Sequence, residues 1–239
     1  MTSPRSSRVL LLSPHPDDIA WSLGGTVSRL REAGADLVCL TFFNRTRYAP
    51  GNPAHGDSRT ATDVRRIEED GWGALADVRL ERCDLGDASL RGYDDATEMG
   101  AEPEPEVLRE VAARLRSVIA RVRPDAVLAP LAIGGHIDHS AVRRAVAGLA
   151  PVPDAALLWY EDLPYASQNP WVPGGHPLVV DIGSHWTAKS DGVRCYPSQL
   201  PDDILPVLRQ HAAQVRGERL WAETQNAHDW FSHCLMNGT

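Results

Sequence analysis

Two short clusters hold most of the residues that could do chemistry: His15-Pro16-Asp17-Asp18 and His136-Ile137-Asp138-His139. Each combines imidazole nitrogens with carboxylates, a donor set that zinc accepts while keeping one position open for water. In the first cluster His15 and Asp18 are the nitrogen and oxygen donors. Asp17 lies beside the metal without being needed to hold it, and a carboxylate there is a general base for metal-activated water. His136 and His139 are three residues apart at the entrance to a helix. They can therefore point the same way, one completing the ligand triad and the other standing next to the water. Asp138 can orient an imidazole. A plainer reading competes, in which Asp17, Asp18 and Asp138 are helix N-caps and the histidines are solvated. Recurrence of the arrangement at two separate strand ends favours the metal.

Both clusters interrupt apolar runs. Val9 to Leu12 is unbroken aliphatic sequence, as in a parallel strand buried on both faces. Pro14 and Pro16 cannot donate to a ladder, so the strand stops and the next side chains lie at its carboxyl edge, where open α/β sheets place ligands. The run from 125 to 131 ends likewise, at Gly134-Gly135, and a helix follows over 140–149. The remaining pattern predicts a helix over 22–33, a strand over 37–43, a helix over 58–76, a strand over 78–85 and an amphipathic helix from Val107 to Val122. Strands over 155–160 and 178–182 follow, then helices over 185–195 and 204–221. Gly24-Gly25 inside the first helix signals either close approach of backbone to strand or ligand, or flat packing on the sheet. No GxGxxG loop follows the first strand, so no dinucleotide is implied. The expected fold is α/β: a single Rossmann-like domain over 1–239, with a mostly parallel sheet flanked by helices and a metal site at the C-terminal strand edge.

At 239 residues and 43% apolar content, the chain can bury one large core. A net charge of −8, without Lys or Arg clusters flanked by aromatics, argues against nucleic-acid or anionic-membrane partners and for a neutral or cationic small molecule. No apolar run reaches membrane-spanning or signal-peptide length, so the expected location is cytoplasmic. Cys39, Cys83, Cys195 and Cys234 form no CxxC pair and read as reduced thiols. The stretch 46–57, rich in Pro, Gly and Asn, is a loop leaving the same sheet edge, with Tyr48 and His55 as candidate substrate contacts. Glu161 and Asp162 follow the 155–160 strand at that rim, where carboxylates suit sugar hydroxyls or an amine, or are simply exposed. By spacing alone Arg65 and Glu68 belong to a solvated, charge-laced helix face.

The pair SPHPDD and GGHIDHSAVRRA resembles the PIG-L/LmbE-like zinc-dependent N-deacetylases, which remove an acyl group, usually acetyl, from an amino sugar or its conjugate. RRIEED (65–70), DLGDASLRG (84–92), YEDLPYA (160–166) and YPSQ (196–199) resemble further segments of bacterial members, so the likeness covers most of the chain. It implies one Zn2+ per chain on His15, Asp18 and His139, with Asp17 as general base. It also implies that a protonated His136 assists the tetrahedral intermediate and the leaving amine, and that Arg65 and Glu68 lie near the pocket. Two positions depart from the pattern. Ile19 stands where many members have an acidic residue, and Gly134 stands where some have a tyrosine that helps hold the oxyanion. The metal and His136 then carry that load, unless Tyr48, Tyr160 or Tyr165 reaches in. The expected function is removal of an N-acyl group from an amino sugar or conjugate in natural-product or thiol-cofactor biosynthesis, with a homo-oligomer left open. The alternatives are an amidase for a non-sugar or thiol-conjugate amide, and a non-catalytic metal-binding protein. Asp17 argues against the latter, because a closed structural zinc site favours four protein ligands and cysteine.

Overall fold

The structure is a computed structural model, and it describes residues 6–149, 152, 154–169, 174–199 and 204–237. Five strands run parallel: β1 (Arg8–Ser13), β2 (Asp36–Thr41), β3 (Arg79–Arg82), β4 (Ala126–Pro130) and β5 (Ala156–Tyr160). β1 is covered on both edges by β2 and β4, and Val9 to Leu12 are wholly buried, which is why that run has no polar alternation. The crossovers are helical: α1 (Asp18–Glu32), α2 (Ser58–Ala76), α3 (Pro105–Val122) and α4 (Ile137–Ala147).

The sheet order places β2 and β3 on one side of β1, and β4 and β5 on the other. The chain therefore changes direction between β1 and β4, and a crevice opens beyond their carboxyl ends. The two His/Asp clusters follow these two strands. Register pairs Val9 with Ala126 and Leu11 with Leu128, so motifs about 120 residues apart in sequence emerge side by side.

The helix expected over 204–221 ends early. α7 spans Ile204–Val215, and after Arg216 and Gly217 the chain becomes β7 (Glu218–Ala222). β7 lies antiparallel between β5 and β6 (His176–Val180), which makes the seven-stranded sheet mixed at this end. The break is steric. Gly217 has φ +149°, and a Cβ there would sit 2.1 Å from the carbonyl oxygen of Val180, so only glycine lets the chain pass into the strand.

The glycine pair in α1 meets protein. A Cβ on Gly25 would approach Ile182 to 2.5 Å, and one on Gly24 would press on Lys189 of α6 (Trp186–Arg194). At this contact Lys189 Nζ lies 2.6 Å from Glu218 Oε1 and donates to the carbonyl of Trp21. Glu218 accepts the N–H groups of Gly25 and Thr26 at 3.0 and 2.7 Å. A buried, hydrogen-bonded ion pair thus fastens β7 and α6 to α1, the helix that carries Asp17 and Asp18 at its start. The short α5 (Tyr165–Gln168) and the C-terminal α8 (Gln225–Asn237) complete the fold. Among the described residues no helix is long and apolar enough to cross a membrane, and all four cysteines are unpaired with one another.

Candidate active site

Asp18 opens α1 with its carboxylate turned back to the end of β1, where Oδ2 accepts the backbone N–H of His15 at 2.7 Å. The same oxygen lies 3.5 Å from His15 Nδ1 and 3.4 Å from His139 Nε2. Donors about 2.05 Å from a tetrahedral ion stand about 3.3 Å from one another, so these spacings fit three ligands on one metal. Each imidazole is held from behind by a carboxylate. Asp138 Oδ2 meets His15 Nε2 at 2.9 Å, and Asp162 Oδ1 meets His139 Nδ1 at 2.6 Å. Both are the supports that metal-ligating histidines need to present the remaining nitrogen as a lone pair. His139 Nε2 is buried and has no hydrogen-bond partner, a costly state that a bound cation relieves. The residues present therefore fit a divalent metal.

A second trio, His15, His136 and Asp138, is also close enough for one ion, but its donors are already committed. Asp138 accepts from Ala88 N at 3.0 Å and pairs with Arg91 at 2.8 Å, besides holding His15. Burial pushes the Asp138 carboxyl up, yet the hydrogen bond to His15 and the charges of His15 and Arg91 outweigh it and hold it at about 2. Asp18 is likewise kept ionised, because the charge of His139 and the hydrogen bond and charge of His15 overcome burial.

Asp17 stands at the N-cap position of α1 but makes no side-chain cap. Its Oδ1 accepts from Arg65 Nη2 at 3.0 Å, and both groups line the cleft above the ligands. Arg65 is buried, so the solvated-face reading fails for it. At the other motif the cap is His136, whose Nδ1 accepts the Asp138 N–H at 3.1 Å. That bond leaves Nε2 as the nitrogen that carries a proton. Burial lowers the His136 pKa, Glu98 opposes, and His15 and His139 add to the lowering. In this arrangement Nδ1 of His136 is an acceptor, and Nε2 is the nitrogen nearest Glu98.

The cleft has a volume of about 1150 Å³. A family model described as PIG-L, GlcNAc-PI de-N-acetylase, matches residues 10–150, more than half of the chain and both motifs. A 2'-N-acetylparomamine deacetylase of Streptomyces fradiae is 36% identical over 237 residues, spanning 93% of this chain and 84% of that one. The chain belongs to the PIG-L family. Among solved structures, a deacetylase from the biosynthesis pathway of teicoplanin matches this PIG-L chain with a TM-score of 0.76 at 26% identity, over 90% of this chain and 97% of that one. A zinc-inhibited form of teicoplanin deacetylase matches with a TM-score of 0.72 at 25% identity and the same coverage.

Within this PIG-L cleft the other expected residues separate. Tyr48 and His55 line it, stacked edge to face at 5.5 Å on the loop before α2. Glu68 and Glu161 do not. Glu68 is buried and accepts from Ser198 N and Oγ at 2.7 and 2.6 Å, tying α2 to the YPSQ segment. Glu161 is 3% exposed and bound by His211 and Arg219 on the far side of the sheet's end. Successive residues leaving a strand face opposite ways, so Asp162, rather than Glu161, turns to His139. Of the three tyrosines that could replace the one missing at Gly134, Tyr160 is buried and spent on the Leu12 carbonyl. Tyr165 lies edge-on to His139 at 5.7 Å and 6.4 Å from His136, and its hydroxyl has no partner among the described residues. Gly134, at φ +87°, makes room for it, since a Cβ there would lie 3.0 Å from Tyr165 Cβ. Ile19 is wholly buried in the core. Glu98 carries no motif, and Arg91, although inside the DLGDASLRG segment, was given no role from the sequence. Asp162 was noted at the rim without its role.

Proposed function

We propose that this protein is a metal-dependent N-deacetylase that hydrolyses the N-acetyl group of an amino sugar or amino-sugar conjugate, with one zinc per chain on His15, Asp18 and His139. The observation that carries this is the unpartnered, buried Nε2 of His139 facing Asp18, with Asp17 beside it at the floor of an open cleft. When bound, the metal supplies Lewis acidity toward the amide carbonyl and acidity to a water. Asp17, held through Oδ1 by Arg65, takes the water's proton at Oδ2 as hydroxide adds to the acyl carbon. As the C–N bond breaks, Asp17 returns that proton to the departing nitrogen, leaving acetic acid and an amine, which at neutral pH exchange a proton to become acetate and ammonium. His136, limited to its Nε2–H, and the Tyr165 hydroxyl donate hydrogen bonds to the developing oxyanion without giving up their protons.

The substrate class follows from the walls. Asp94 and Asp95 line the cleft together with Tyr48, Tyr93, Trp21 and Tyr165. Carboxylates and aromatic rings together suit an amino sugar on a scaffold that bears further ammonium groups, as in the paromamine derivative named for the relative. The test is acetate release from N-acetylated aminoglycoside fragments, N-acetylglucosamine conjugates and simple acetanilides, using loaded and metal-stripped protein. Release confined to amino sugars and abolished by stripping is expected. Equal turnover of all amides, or full activity after stripping, overturns the reading. His139→Ala should lose the metal by mass-spectrometric analysis, and full occupancy would remove His139 from the ligand set.

A further inference from the structure

His136 is held by more than its own helix. The segment from Asp94 to Gly100 forms a strap across it: Met99 and His136 form an antiparallel bridge, Gly100 N donates to Gly135 O at 2.7 Å, and Ile137 N donates to Glu98 O at 2.9 Å. The strap begins at a turn in which Asp94 Oδ1 accepts from Ala96 N, Thr97 N and Thr97 Oγ1, which fixes where the next residues lie. Backbone bonds on both sides of His136 thus set the place of Glu98. Its carboxylate Oε2 comes to 3.5 Å from His136 Nε2, with the side chain 20% exposed.

We propose that Glu98 is a positioning residue for the reaction, holding His136 in the single ring orientation and tautomer that direct an Nε2–H into the cleft. This rests on the deacetylase reading above. One ring nitrogen is fixed as an acceptor by the Asp138 N–H, and the other is fixed as a donor by the carboxylate. A ring flip or a tautomer switch would therefore set Nδ1–H against a backbone N–H and aim a lone pair or C–H at Glu98. The separation is also telling. Strong N–H···O bonds span about 2.7–3.2 Å, so at 3.5 Å the carboxylate attracts the proton without consuming it. An oxyanion arriving in the cleft can then take the bond.

Two variants and two readouts test this. Glu98→Gln keeps an acceptor oxygen and the shape, and Glu98→Ala keeps neither. With zinc content and thermal unfolding unchanged, kcat should fall about tenfold to a hundredfold in Glu98→Ala, less in Glu98→Gln, with KM within about twofold. An oxyanion donor removed outright costs about 10²–10³, so a donor left unaimed should lose part of that. In zinc-loaded protein with 15N-labelled histidine, the His136 signal should be a pure Nε2–H tautomer in the parent and a mixture in Glu98→Ala. The tautomer measurement needs no substrate, so it stands even if the substrate reading fails, and a protein without deacetylase activity would fail that reading alone. A rise in KM at constant kcat would mean that Glu98 contacts the substrate. That outcome, an unchanged tautomer, or loss of zinc in either variant overturns the proposal.

Discussion

Asp162→Asn is the sharpest test of how the ligand shell is built. The carboxylate spends its two oxygens on two donors, His139 Nδ1 at 2.6 Å and Ile133 N at 3.0 Å, inside a site with 1% exposure. Asparagine has the same shape but one oxygen, so one donor must face an NH2 group. If His139 loses its acceptor, the imidazole proton moves to Nε2, the atom that should bind metal. Loss of such a supporting partner typically costs 10- to 100-fold in affinity, or about 1.4–2.7 kcal/mol. If Ile133 loses its acceptor, a buried N–H goes unsatisfied at about 1–3 kcal/mol, and at this chain length Tm falls by about 2–4 °C for each kcal/mol. Chelator competition measures the first effect, and thermal unfolding of the metal-free protein the second. At least one must appear. Affinity within twofold and Tm within about a degree of the parent would refute the argument that two donors depend on this one carboxylate.

Other perturbations separate the remaining roles. Asp17→Asn leaves all three ligands in place, so zinc by mass spectrometry should be unchanged while turnover drops by about 10²–10⁴; activity within a few-fold would remove Asp17 as the base. Gly134→Ala puts a side chain at φ +87° and against Tyr165. It should cost about 1–2 kcal/mol in urea unfolding and lower kcat through the displaced ring, and a fully active variant would leave Tyr165 without a catalytic part. Burial pushes the Glu161 carboxyl up, but hydrogen bonds and charge from His211 and Arg219 more than offset this and leave it below the usual glutamate range. A depressed folded-state pKa gives stability that is present above the unfolded value, about 4.3, and is lost as pH falls through the folded one. Glu161→Gln should therefore be less stable than the parent near neutrality and converge with it in acid, as read by urea unfolding; a pH-independent gap would show that packing rather than charge accounts for the difference.

The proposed ligands were legible because their strands end conspicuously. Proline after Ser13 and glycine before His136 mark where each strand stops, and His15, Asp18 and His139 come close enough to share one ion. What brings them together is the pairing of β1 with β4, a long-range fact that strand lengths and spacings do not contain. Glu161 was read for its neighbour because at the end of β5 a one-residue shift exchanges the faces. Arg65 is a single charge whose meaning comes from a distant partner, so helix spacing alone leaves it on a solvated surface, and Arg91 and Glu98 lie outside the helices and take their meaning from Asp138 and His136. β7 was absorbed into α7 because Leu208, Ala212 and Val215 keep a helical period up to the turn, and the apolar Leu220 and Trp221 follow soon after.

The position of β7 has a consequence for synthesis. Among the described strands it leaves the ribosome last, yet its place is second from the sheet's edge, between β5 and β6. The parallel half from β3 to β5 can assemble on its own side chains while translation continues. β6 cannot join, since its ladder partner has not yet been made. Until the Glu218–Ala222 segment arrives, α1 also lacks the carboxylate that takes the N–H groups of Gly25 and Thr26. A nascent chain halted before residue 218 would thus hold His15, Asp17, Asp18 and His139 and still leave the helix that carries Asp17 and Asp18 at its start unanchored.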